Sequence, residues 1–116
     1  MDVKIIGDIA VINSEVLLIT DAQSALDLTA TIYYEHNVTK MVINKETISE
    51  DFFKLSTGIA GDIVQKFVNY HFRVAIVGDF SNYTSKPLRD YMFECNNGKH
   101  LCFVANEQGA VERLKS

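Results

Sequence analysis

Seven residues combine useful side-chain chemistry with positions where strands should end: Asn44, Lys45, Ser49, Asp79, Ser81, Lys86 and Arg89. Asp79 directly follows the apolar run Val74-Ala75-Ile76-Val77-Gly78. A carboxylate at the tip of a buried strand is partly desolvated unless something pairs it. Asp79 is therefore a candidate acid/base, with Lys45, Lys86 or Arg89 as its partner, and it is equally suited to an Asx-turn that caps its own loop. Lys86 and Arg89 stand three apart. On a first helical turn they would form one basic group beside a helix N-terminus, able to hold a carboxylate or phosphate or simply to lie solvated. Basic residues there oppose the helix dipole, which asks for a reason. Asn44-Lys45-Glu46 leaves another apolar run as a charged triplet, either a solvated turn or an orienting site. Asn44 and Ser81 add hydrogen-bonding groups.

Several chemistries find no residues to carry them. There is no Gly-x-x-x-x-Gly-Lys loop, no Gly-x-Gly-x-x-Gly and no Gly-x-Ser-x-Gly elbow, so the corresponding nucleotide and hydrolase sites are unsupported. His36, His71 and His100 are dispersed, and Cys95 and Cys102 lack Cys-x-x-Cys spacing. No metal site and no cofactor is expected. The adjacent acids Glu50 and Asp51 would diverge on a helix and read as complements to its dipole.

The elements that must position these residues follow from the apolar pattern. Val3–Ile6, Ile9–Ile12 and Val16–Ile19 are short runs separated by turn residues and predict a three-stranded antiparallel meander. Thr20-Asp21-Ala22-Gln23 matches a capping box with Thr20 as N-cap. Ala22, Ala25, Leu26, Thr29, Ile32 and Tyr33 then keep helical spacing up to His36-Asn37. Lys40–Asn44 is a buried strand, and Phe52, Ile59, Ala60, Ile63, Val64, Phe67 and Val68 form the stripe of a second helix. Arg73–Gly78 is a strand followed by the polar loop 79–85, with Pro87 near the start of a third helix. Leu101–Ala105 is a last strand, and Asn106 caps a short helix carrying Ala110, Val111 and Leu114.

The order β-β-β-α-β-α-β-α-β-α predicts a single α/β domain over residues 1–116, with a mixed, mostly parallel sheet and right-handed crossovers. A ferredoxin-like sandwich would be overfilled by it. In open α/β sheets ligands gather at the carboxyl ends of the strands. That rim is where the seven residues fall. The second helix holds Gly58 and Gly61, each costing about 0.5–1 kcal/mol relative to Ala in a helix. Either another backbone packs there, within the domain or in a homodimer, or the segment is irregular.

Composition narrows the partners. With 116 residues, 47% hydrophobic and 22% charged, the chain can bury one real core. The net charge of -4 argues against nucleic acid. It is uneven: residues 1–62 carry four bases and ten acids, and residues 63–116 seven bases and five acids, so an anion site would belong in the second half. No signal peptide or membrane span is legible, and a cytoplasmic protein with reduced thiols is expected.

The segments Leu18-Ile19-Thr20-Asp21-Ala22-Gln23-Ser24-Ala25-Leu26-Asp27-Leu28, Ser49-Glu50-Asp51-Phe52-Phe53, Gln65-Lys66-Phe67-Val68-Asn69-Tyr70, Ala75-Ile76-Val77-Gly78-Asp79-Phe80-Ser81 and Tyr83-Thr84-Ser85-Lys86 together resemble the bacterial family called domain of unknown function 4180. The likeness spans nearly the whole chain and brings no activity with it. A weaker, architectural likeness is to the STAS domain of anti-sigma-factor antagonists. It implies partner binding around the second helix N-terminus and a switch by serine phosphorylation there. This chain has Asn44-Lys45 in place of that family's Asp-Ser motif, and Ser49 is the nearest serine. These readings lead to a cytoplasmic, non-enzymatic regulatory or protein-binding module, a homo-oligomer with Gly58 and Gly61 as interface candidates. The alternative is a small enzyme or anionic-ligand-binding protein. There Asp79 would be the acid/base, Lys45 and Arg89 the anion anchors, and Asn44 and Ser81 the hydrogen-bonding groups.

Overall fold

In the computed structural model, which describes residues 1–115, strands β1 (Asp2–Ile6) and β2 (Ile9–Asn13) form a tight antiparallel hairpin. Its turn is possible because Gly7 takes φ +61°, a left-handed conformation that costs glycine little. The chain continues through α1 (Ala22–His36), β3 (Lys40–Asn44), α2 (Ile59–Asn69), β4 (Arg73–Val77), α3 (Lys86–Asn96), β5 (Leu101–Val104) and α4 (Glu107–Lys115). Strands β2 to β5 are parallel, and the five stand in the order β1-β2-β3-β4-β5. The α/β class and the mostly parallel sheet with an antiparallel edge are as expected.

This order has a consequence for function. Each crossover moves one strand further in the same direction, so crossovers of one hand place their helices on one face. Accordingly α1, α2 and α3 bury Leu28, Ile32, Ile63, Phe67 and Leu88 against Ile12, Met41, Ile43, Val74, Ile76 and Phe103. Among the described residues helix α4 alone covers the other face, placing Ala110, Val111 and Leu114 on Ile9, Val11, Val42, Ala75 and Cys102. The strand order never reverses, so the crevice that a reversal opens in doubly wound sheets is not built here.

Three local expectations are corrected. The run Val16–Ile19 is not a third meander strand: the free edge of β2 is taken by β3, and only Ile19 makes an isolated bridge, to Ile48. The N-cap of α1 is Asp21 rather than Thr20. Its carboxylate accepts the Ser24 amide while the Ser24 hydroxyl accepts the Asp21 amide, closing a capping box one residue later than Thr20/Gln23. The second helix does not start near Phe52. Residues Lys45–Thr47, Glu50–Phe53 and Leu55–Thr57 form short 3-10 turns, and Gly58, at φ +76°, is the N-cap of α2. Asn106 does cap α4, its side chain accepting the Gly109 amide at 2.7 Å. No helix among the described residues is long and apolar enough to cross a membrane.

Candidate functional site

At the carboxyl rim the structure builds a cluster around Lys45. Lys45 is the first residue beyond β3, and its Nζ lies 3.3 Å from Glu50 Oε1. It also stands 5.1 Å from the centre of the Tyr83 ring and 5.9 Å from that of Phe53. The Tyr83 hydroxyl donates to the Glu50 carboxylate, at 2.8 and 2.9 Å from its two oxygens. The Tyr83 ring stacks on Phe53 with centroids 4.6 Å apart and planes 19° apart. Phe80 meets Phe103 edge-on at 5.3 Å. The 3-10 turn Glu50–Phe53 explains the convergence, because side chains three apart on such a turn eclipse. Gly78 completes the fit: a Cβ there would stand 2.8 Å from Lys45 Cβ, so only glycine lets the lysine stem lie across the end of β4.

The electrostatics hold each of the three groups in its ordinary charge state. Burial raises the Glu50 pKa, but the Tyr83 hydroxyl and then the Lys45 ammonium outweigh it and hold the carboxyl below its ordinary value. Tyr83 and Glu50 hold Lys45 above the usual lysine value despite burial. Burial is the first cause of a raised Tyr83 pKa. A fixed carboxylate, a fixed ammonium and a neutral phenol leave none of the three poised to exchange a proton near neutral pH.

The other expected site residues are held by their own surroundings. Asp79 is exposed, and its Oδ1 accepts the Ser81 amide at 2.9 Å in an Asx-turn. The Ser81 contacts are the first cause of its lowered pKa, with Lys45 only the last. No hydrogen bond or ion pair joins Asp79 to Lys45 among the described residues, so the expected acid/base pairing does not form. Lys86 is 85% exposed and pairs with Asp90 at 2.7 Å along α3. Arg89 reaches the Tyr83 carbonyl at 3.5 Å and borders a shallow hollow of about 280 Å³ with Phe80, Ser81, Met92, Phe93 and Asn96. Ser49 caps the Glu50–Phe53 turn, its hydroxyl accepting the Asp51 amide. Gly58 and Gly61 are exposed, and a Cβ at either would meet nothing within 4 Å. Among the described residues no other backbone packs on them, and the left-handed φ of Gly58 accounts for that glycine. Among the described residues no group of three His, Cys, Asp or Glu side chains could hold a metal.

Asn44 has a different task from the one its position suggested. Its amide donates to the Ser14 carbonyl at 3.2 Å, and its Oδ1 accepts the Ser14 amide at 3.4 Å. The far end of the same loop is tied down by Leu18 and Ile19, whose amides both donate to Thr47 O. Between these anchors Val16 and Leu17 are 63% and 55% exposed. Beside them lies an open hollow of about 510 Å³ lined by Met1, Asp2, Asn13, Ser14, Glu15, Val16 and Asn44. Its two charged side chains, Asp2 and Glu15, are both acids.

Sequence reasoning missed two things here. Glu50 and Tyr83 were visible as a helix-start acid and a loop aromatic, but nothing in the spacing of 45, 50 and 83 announces that they meet. The strand expected at Val16–Ile19 hides the exposure of Val16 and Leu17. No local signal separates this run from Ile9–Ile12, which is equally apolar and does form a strand.

The fold and rim define a small mixed α/β domain whose charged rim residues are largely paired internally. A family model described as Domain of unknown function (DUF4180) matches residues 5–114, and the chain belongs to that family. No curated protein matches it. Its structure is similar to one titled as the anti-sigma factor antagonist SpoIIAA in its unphosphorylated form, at 16% identity and a TM-score of 0.47, covering 99% of this chain and 97% of that one.

Proposed function

We propose that this chain is a cytoplasmic regulatory module that acts by binding a protein at the carboxyl rim of its sheet. One observation carries the reading: Val16 and Leu17 are held out to solvent on a loop anchored at both ends, beside a hollow whose charged side chains are acids. Ordered aliphatic side chains kept in water cost hydrophobic free energy that a partner recovers. The exposed acid Glu15, next to Val16, favours a partner that brings an apolar side chain flanked by Lys or Arg. The free thiols Cys95 and Cys102 are in keeping with a reducing compartment. The rival reading, an enzyme or anion-binding protein in a strand-end cleft, has less to stand on. Its acid/base is spent on an Asx-turn, Lys45 is matched by Glu50 and Lys86 by Asp90.

The test compares the wild-type chain with Val16→Ser/Leu17→Ser as immobilised baits. The variant should melt like wild type, since both side chains are exposed. A protein retained by the first should bind the second at least about tenfold more weakly, given roughly 1.5–3 kcal/mol for full burial of one aliphatic side chain. If no retained protein distinguishes the two baits, the proposed surface is wrong.

A further inference from the structure

The two edges of the sheet are finished differently. At β5 the outward amide of Phe103 is covered by the Asn96 side chain at 2.7 Å. At β1 no other segment of the described residues adds to the strand. The hairpin turn leaves two residues between the pair Ile6 and Ile9, and such a turn closes on a pair that exchanges both hydrogen bonds. Ile6, Lys4 and Asp2 therefore direct their main-chain groups to β2, while Val3 and Ile5 direct theirs outward.

We propose that a second copy of this chain adds to β1, antiparallel and in the register centred on Val3, so that two sheets become one continuous sheet. Three properties of the strand select this occupant and this register. Lys4 lies opposite Val11, on the α4 face, where it reaches Glu107. Asp2 shares that face, and its carboxylate has no partner among the described residues. A two-fold through Val3 sets Asp2 opposite the partner's Lys4 and Lys4 opposite the partner's Asp2. On the other face it sets Met1, 56% exposed, against the partner's Ile5, 43% exposed, covering both. The register one residue on, centred on Lys4, would oppose two ammonium groups. Centring on Ile5 would leave Asp2 without a cation. The antiparallel two-fold places the two Val16–Leu17 loops at opposite ends of the joint sheet; the second copy takes up Met1 and Asp2 at the edge of each hollow and leaves Glu15, Val16 and Leu17 exposed.

Sedimentation equilibrium on the full chain tests this. Wild type should dimerise with rising concentration. Asp2→Lys and Lys4→Asp each turn two attractive cross-strand pairs into two repulsive ones and should raise the dimer dissociation constant about thirtyfold. The double variant D2K/K4D restores opposite charges and should return it to within about threefold of wild type. Thermal melts of dilute monomer confirm that each variant folds. A wild type that stays monomeric at all concentrations overturns the proposal. So does a double variant as weak as the single ones, or an association weakened by Gly61→Leu but indifferent to the charge swaps.

Discussion

Replacing Gly78 by alanine should destabilise the protein, although Gly78 does not occupy the left-handed region and ordinary reasoning predicts a gain. In that conformation, alanine restricts the unfolded chain more than glycine does, which alone would add about 0.4–1 kcal/mol of stability. Against this, the new Cβ would stand 2.8 Å from Lys45 Cβ and 3.1 Å from Lys45 Cδ. The nearer atom is the root of the side chain, so it moves only with the backbone at the end of β3. Overpacking of this kind costs about 1–3 kcal/mol, leaving a net loss of about 1–2 kcal/mol and a melting temperature lower by several degrees. Urea titration at unchanged m-value would measure it. The identity of the clashing atom supplies a sharper check: Lys45→Ala keeps Cβ and should not rescue Gly78→Ala, whereas Lys45→Gly should show favourable coupling of about 1 kcal/mol in a double-mutant cycle. A Gly78→Ala protein as stable as wild type, or one rescued equally by both Lys45 variants, would refute the packing account.

Tyr83→Phe keeps the ring on Phe53 and removes only the donor to Glu50; with the pair largely solvated, the loss should be about 0.5–1 kcal/mol by urea titration. Because Glu50 is depressed in the folded state, its contribution is present above its unfolded pKa and is lost as pH falls through the folded value. In Tyr83→Phe the Glu50 titration seen by NMR should move up toward the ordinary carboxylate value, and the acid limb of stability should flatten. Gly58→Ala and Gly61→Ala should act in opposite directions: the first forces alanine to φ +76° and costs about 1 kcal/mol, while the second fills open space on α2 and adds about 0.5–1 kcal/mol. Asn44→Ala removes both bonds to Ser14 and should cost about 1–2 kcal/mol, with faster amide exchange at residues 14–17 as its local signature.

Much of the architecture is legible because it rests on local periodicity. The strands at Lys40–Asn44, Arg73–Val77 and Leu101–Val104 are buried on both faces and read as unbroken apolar runs. The capping of α4 by Asn106 depends on three neighbouring residues and was readable for that reason. The start of α1 shows the limit of the same logic. Thr20/Gln23 and Asp21/Ser24 are overlapping capping boxes, and which one closes depends on where Ile19 is pinned by its bond to Thr47 and its bridge to Ile48. The stretch from Phe52 misled for a similar reason. Phe52 has helical spacing to Ile59 and the residues after it, but Phe52 and Phe53 are both buried from a 3-10 turn that supplies the cluster around Lys45.

The class of fold, the polar rim and the family are legible in the amino-acid order, because βα alternation and capping act over a few residues. What that rim contains is set by long-range contacts. Whether Asp79 meets Lys45 or its own loop, and whether Val16 pairs in a sheet or stands in water, depends on which edge β3 takes and on what the long loops bring across it. Lys45, Glu50, Gly78 and Tyr83 are joined through contacts up to 38 residues apart. Such contacts leave no period in the chain and exist only once the sheet has closed beneath them.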